Sequence, residues 1–185
     1  MTPALTSDRN ASQLVLVDLQ EKLCGAMPPA ELASVLKNCG ILLQAARLLD
    51  IPAIVTEQYP KGLGPTHAEL LPWADHAARV GKTCFSCADE PAFRNKLNGD
   101  RPQIVLAGME SHICVLQTAL QLRALGKQPF VVEDAVLSRN PVNKANALAR
   151  LRQAGIIVSN TESVVFEWLK VAEGDAFKQI SRLIR

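Results

Sequence analysis

Ile104-Val-Leu-Ala-Gly-Met-Glu-Ser-His-Ile-Cys-Val-Leu-Gln-Thr118 changes its hydrophobic pattern half-way along. Its first part, taken from Gln103 to Ala107, is a short apolar run bounded by Arg101-Pro102 and by Gly108, which predicts a central strand. From Ser111 onward Val115, Leu116, Ala119, Leu120 and Leu122 recur at helical spacing until Gly126 supplies the stop, which predicts an amphipathic helix. Cys114 therefore falls in the opening turn of a helix, just beyond the carboxyl end of a strand. Free backbone N–H groups and the positive end of the helix dipole favour a thiolate there, so Cys114 is a candidate nucleophile. A buried structural cysteine is the alternative, and the residues around it decide between the two.

Working outward, Leu14 to Val17 is an unbroken apolar run ending at Asp18, the pattern of a strand covered on both faces. Pro28-Pro29 opens a long helix whose apolar face runs from Leu32 to about Leu49. A strand over Ala53 to Thr56 follows, then a Pro- and Gly-rich loop from Glu57 to Pro65, and a short helix before Pro72. A third strand near Ala78 to Thr83 carries Lys82, and Glu90 to Leu97 reads as a short helix with Pro91 at its start. Beyond the central stretch come a strand over Pro129 to Glu133, a helix capped by Asn140-Pro141 and ending at Gly155, and a strand over Ile156 to Val158. Ser159-Asn-Thr-Glu162 has the form of a capping box ahead of Val164, Val165 and Trp168, and a last amphipathic piece carries Phe177, Ile180 and Leu183. This alternation predicts one α/β domain over residues 1–185, a three-layer, Rossmann-like α/β/α sandwich around a six-stranded, mostly parallel sheet.

The bulk numbers agree with that reading. A chain of 185 residues that is 48% hydrophobic can bury a full core. Lys and Arg total 20 against 18 Asp and Glu with no basic block, so neither nucleic acid nor a membrane surface is expected as partner, and a small molecule is. Five cysteines, at positions 24, 39, 84, 87 and 114, suit a reducing compartment better than a disulfide framework. The first thirteen residues lack the form of a signal peptide, and no stretch approaches the length of a membrane span; a cytoplasmic protein is expected.

Open parallel sheets bind ligands beyond the carboxyl ends of their strands, which is where Asp18, Lys82 and Cys114 each fall. An attacking thiol, a carboxylate to take its proton and an ammonium to hold the resulting charge are what covalent hydrolysis of a carbonyl compound needs. Taken singly, the aspartate could cap a turn and the lysine could be solvated.

Three segments, in this order and spacing, resemble the isochorismatase-like, or cysteine hydrolase, family, which includes nicotinamidases, N-carbamoylsarcosine amidases and ureidoacrylate amidases: Leu14-Val-Leu-Val-Asp-Leu-Gln20, Val80-Gly-Lys-Thr83 and Gly108-Met-Glu-Ser-His-Ile-Cys-Val-Leu-Gln-Thr-Ala119. Thr56-Glu-Gln-Tyr-Pro-Lys-Gly-Leu-Gly-Pro65, Lys82-Thr-Cys-Phe-Ser86 and Glu162-Ser-Val-Val-Phe166 are similar to the isochorismatase domain-containing proteins within it. The resemblance implies a triad of Asp18, Lys82 and Cys114. It also implies a cis peptide between Met109 and Glu110, which brings the Glu110 and Cys114 backbone N–H groups together as an oxyanion hole. The expected activity is that of an amidohydrolase acting on a small amide, ureido or carbamoyl C–N bond through a thioester. Hydrolysis of a vinyl ether, the isochorismatase reaction, is the alternative, although it does not need the thiol. The resemblance further implies a homo-oligomer, for which Val164, Trp168 and Phe177 could supply an interface or could equally be core.

Nicotinamidases carry metal-binding aspartate and histidines where this chain has Glu57-Gln-Tyr59, and His67 is the only histidine near that position, so no metal and no cofactor are expected. Glu57, Gln58, Tyr59, Phe85 and Ser86 fall on segments that should border the pocket and are candidates for substrate binding. His112, two residues from Cys114 on a helix, should face elsewhere. Cys84-Phe-Ser-Cys87 leaves a dithiol oxidoreductase open as a different class of function, and a non-catalytic scaffold is a third.

Overall fold

The structure, a computed structural model, describes residues 5–184. Six strands, β1 (Ser12–Val17), β2 (Ala53–Gln58), β3 (Ala78–Lys82), β4 (Gln103–Met109), β5 (Gln128–Leu137) and β6 (Ile157–Ser159), form one sheet in the order β3-β2-β1-β4-β5-β6. Every neighbouring pair is parallel, so the sheet expected to be mostly parallel is parallel throughout. The chain leaves β1 for β2 on one side, then crosses to β4 on the other, which makes the gap between β1 and β4 the point where the strand order reverses. Ligands in open α/β sheets sit at such points.

Side chains of successive strand residues point to opposite faces. Leu14 and Leu16 join the core under α2 (Pro29–Leu48), α7 (Thr161–Leu169) and α8 (Gly174–Ile184). Val15 and Val17 join the other, under α5 (Leu116–Ala124) and α6 (Pro141–Gln153). Both faces of β1 are thus buried, which is why its sequence shows no alternation. Val164 and Trp168, open to either role in the sequence, are wholly buried in the first core, and the Trp168 indole N–H donates to Ser12 Oγ at 3.1 Å. Phe177 is half-buried and packs on the same core. Among the described residues no helix is long and apolar enough to cross a membrane.

Several boundaries differ from the sequence reading. β2 runs on through Glu57 and Gln58, expected in a loop, because both pair with β3 through Gly81 and Lys82. The following loop contains a single turn, α3 (Pro60–Leu63), and the helix expected before Pro72 is a 3-10 helix over Ala68–Trp73 with that proline inside it. Between β3 and β4 the helical turn α4 is only Pro91–Arg94. β5 reaches Leu137 instead of Glu133, since beyond a register shift at Leu106/Gly108 it pairs again with Gly108 and Met109. Ser159 does not cap α7; it ends β6, and Asn160 is the cap, its side chain accepting from Ser163 N at 2.8 Å.

Gly108 is the one position at the reversal point where only glycine fits. Its φ is +115°, and a Cβ there would overlap the Val17 carbonyl of β1.

Candidate active site

Asp18 follows β1, Lys82 ends β3 and Cys114 lies in the turn after β4, so three parallel strands deliver these residues to one rim. Lys82 Nζ donates to Asp18 Oδ2 at 2.7 Å, with both side chains fully shielded from solvent. The same ammonium donates to Gln58 Oε1 at 2.6 Å and to the Cys84 and Phe85 carbonyls at 3.2 Å each. Asp18 Oδ1 accepts from Thr56 Oγ1 at 2.7 Å. Each carboxylate oxygen therefore has a donor, and the orientation of the group is fixed.

Cys114 sits against this pair. The Met109–Glu110 peptide is cis, and the chain then enters a π turn over Ser111–Val115 before α5. Val115 N–H bonds to Glu110 O at 3.2 Å, so the Cys114 N–H precedes the first five-residue bond of that turn. Burial pushes the Cys114 thiol up, the Asp18 charge adds to this, and Lys82 opposes it. Sequence alone pointed to a thiolate favoured by the helix end and the lysine; burial, joined by the carboxylate facing the sulfur, works against that charge and favours the protonated thiol. Burial works to lower Lys82, but Asp18 and the nearby thiols outweigh it, so the amine is held above its ordinary value and stays charged.

The thiol opens into a cavity of about 210 Å³ lined by Asp18, Leu23, Gln58, Leu63, Phe85, Glu110, Ile113, Cys114 and Arg139. Of the five expected substrate-binding residues, Gln58 and Phe85 line it. Glu57 is turned away, its Oε1 accepting from Thr66 N at 2.9 Å and Thr66 Oγ1 at 2.7 Å. Tyr59 lies over Gly62 in its own loop and lines a separate surface depression with Lys61 and Glu90. Ser86 is buried and accepts from Ala88 N at 3.2 Å, capping a short turn. The sequence reading missed Leu23, Leu63, Ile113 and Arg139. Arg139 follows the end of β5, as Lys82 ends β3, and its N and Nε donate to Glu110 Oε2 at 2.9 and 3.2 Å. Strand-end position was the available signal, and it was lost because β5 was drawn four residues short. A wider open depression, about 580 Å³ beside Asp8, Phe166 and Lys170, contains none of the expected site residues.

His112 points elsewhere, its Nδ1 lying 2.9 Å from Ser138 Oγ and its Nε2 3.4 Å from Asn143 Nδ2. His67 caps the 3-10 helix, its Nδ1 accepting from Glu69 N at 3.4 Å. Among the described residues no three His, Cys, Asp or Glu side chains are grouped as metal ligands. Cys84 and Cys87 are free thiols, both pushed up chiefly by burial, Cys87 to about 11.

Comparison with known proteins bears on the same rim. Residues 12–163 match the isochorismatase domain family model, a span that includes every strand and all three reactive residues. The chain belongs to the isochorismatase family. Isochorismatase domain-containing protein 2A of Mus musculus is 40% identical over 177 residues, covering 95% of this chain and 83% of the mouse protein. The structure of MAR1 ribonuclease from Caenorhabditis elegans is similar with a TM-score of 0.90 and 34% identity, covering 97% of this chain and 92% of the other. YcaC from Pseudomonas aeruginosa, solved with hexane-2,5-diol and covalent acrylamide, has a TM-score of 0.86 and 27% identity over 95% of this isochorismatase-family chain and 89% of its own.

Proposed function

We propose that this protein is a cysteine-dependent hydrolase that cleaves a small amide, ureido or carbamoyl C–N bond through a thioester on Cys114. The observation that carries the reading is a thiol that opens into a small cavity and faces a buried aspartate–lysine pair. Asp18 takes the Cys114 proton, and the sulfur adds to the substrate carbonyl carbon. The resulting oxyanion is met by the backbone N–H groups of Glu110 and Cys114; single donors of this kind are typically worth about 2.7–4 kcal/mol. The C–N bond then breaks as Asp18 gives its proton to the departing amine. Water, deprotonated by Asp18, attacks the thioester, and the acid and the thiol are released. Lys82 stays charged throughout and holds Asp18 in place while negative charge moves between oxygen and sulfur.

The cavity, at about 210 Å³, is below the range of about 300–1,000 Å³ that drug-sized ligands occupy, which supports a small substrate. Its lining presents one basic side chain, Arg139, already paired with Glu110, and the nearby Lys82 is held by Asp18. That is no track for a phosphate backbone, although the worm neighbour is named a ribonuclease. Covalent acrylamide in the Pseudomonas neighbour is consistent with a reactive nucleophile on this fold.

An ammonia-release screen of small amides and ureides tests the reading. Wild-type protein should release ammonia from at least one compound and Cys114→Ala from none, with circular dichroism unchanged. Undiminished release by Cys114→Ala would overturn it.

A further inference from the structure

Behind Asp18, away from the cavity, the structure holds a second buried thiol that the proposed reaction does not use. Cys87 is fully shielded from solvent, and its Sγ lies 3.7 Å from Thr56 Oγ1, within reach of a thiol-to-hydroxyl hydrogen bond. Thr56 is itself fully buried and donates its single hydroxyl proton to Asp18 Oδ1 at 2.7 Å. A hydroxyl has one proton and can accept others, so a donor arriving from Cys87 leaves the Thr56 proton free only for the carboxylate. Cys87 is in turn fixed, since its backbone N–H donates to Thr118 Oγ1 at 2.9 Å, tying it to α5, the helix that follows Cys114.

We propose that Thr56, backed by Cys87, is a positioning residue that orients Asp18 and moderates its negative charge toward Cys114. This rests on Asp18 being the group that exchanges a proton with Cys114. It gives the second cysteine of Cys84-Phe-Ser-Cys87 a role in placing a proton acceptor, with no electron transfer. The chain Cys87–Thr56–Asp18 occupies one carboxylate oxygen, Lys82 occupies the other, and the thiol of Cys114 meets a group that cannot rotate away. The charged and titratable groups acting on the Cys114 sulfur are Asp18, Lys82 and Cys87, with Glu110 and Arg139 at the cavity rim.

Alkylation of Cys114 by iodoacetamide, followed against pH by peptide mass spectrometry, reads this directly because only the thiolate reacts. Asp18→Asn removes the opposing charge and should shift the profile to lower pH, with Cys114 reacting at least about tenfold faster at pH 7.5. Thr56→Val keeps the shape but removes a donor that tempers the carboxylate charge. It should shift the profile the other way, slowing Cys114 by about three- to tenfold. Thr56→Ser should restore the wild-type profile, and Cys87→Ala should slow Cys114 in the same direction by a smaller factor. In an Asp18→Asn background, Thr56→Val should have no further effect on the profile. A packing role for Thr56 would change the melting temperature without moving the profile in opposition to Asp18→Asn. If Asp18→Asn shifts the profile and neither Thr56→Val nor Cys87→Ala does, the positioning role is wrong and the hydrolase reading stands. If the Thr56→Val shift persists without Asp18, the role is equally wrong. If Asp18→Asn leaves the profile in place, Asp18 is not coupled to Cys114 and both readings fall.

Discussion

Replacing Lys82 with methionine removes the cation of a pair whose two side chains are wholly shielded from solvent and whose charged atoms are 2.7 Å apart. The Asp18 carboxylate is left with neutral partners only, the Thr56 hydroxyl and the Cys114 thiol, and Gln58 Oε1 and the Cys84 and Phe85 carbonyls lose their donor. Breaking one side of a buried pair typically costs about 3–5 kcal/mol, because the remaining charge stays buried without compensation. At about 2–4 °C per kcal/mol for a chain of this size, the melting temperature should fall by about 6–20 °C. Asp18→Asn should cost a similar amount for the converse reason. The double variant removes both charges, so its loss should be smaller than the sum of the single losses by about 2–3 kcal/mol. Urea unfolding of the four proteins measures all three quantities. A loss below about 1 kcal/mol for Lys82→Met, or losses that simply add, would refute the reasoning, since that is how a solvent-screened surface pair behaves.

Other outcomes follow from the same structure. Cys87 and Cys24 are held up, chiefly by burial, to about 11 and about 12 from an ordinary value of 9.0. The folded protein thus keeps protons that the unfolded chain gives up. Stability from these thiols is fully present below pH 9 and should fall between pH 9 and 11 by up to about 1.4 kcal/mol per pH unit for each, a slope that Cys24→Ala and Cys87→Ala should each reduce in urea titrations. Gly108→Ala should cost about 3 kcal/mol or more, since it adds both a positive-φ penalty and an overlap with the Val17 carbonyl. Gly64→Ala, at φ +80° and ψ −173° with nothing within 4 Å, carries the backbone penalty without the overlap and should cost about 1–3 kcal/mol; a loss at Gly108 no larger than at Gly64 would show that the close approach of β1 and β4 does not matter.

Where a residue's place depends on strand order, the sequence was readable. Asp18, Lys82 and Cys114 sit at or beyond the carboxyl ends of runs that read as strands, and a parallel sheet must bring such ends to one edge. Where it depends on register, reading failed. Glu57 and Gln58 are polar and precede a loop rich in glycine and proline, so nothing local shows that they continue β2 beside Gly81 and Lys82. Period two then decides their fates, sending Gln58 to the cavity and Glu57 to Thr66. Arg139 was missed because β5 resumes pairing only after a register shift, which no sequence pattern announces. The balance of influences on the Cys114 thiol was only half legible for a different reason. The favourable helix end is local and visible, whereas the Asp18 charge and the burial that oppose it arrive from 96 residues away in sequence and exist only once β1 and β4 are adjacent.

The most direct test of Cys114 as nucleophile is to quench the protein in acid during turnover of an amide identified by ammonia release, then locate the added mass by peptide mapping. The expected result is the acyl mass of the substrate on the peptide containing Cys114, lost on treatment with hydroxylamine and absent from Cys114→Ala. An acyl group on any other residue, or continued turnover by Cys114→Ala with no adduct, would contradict a thioester mechanism at this site.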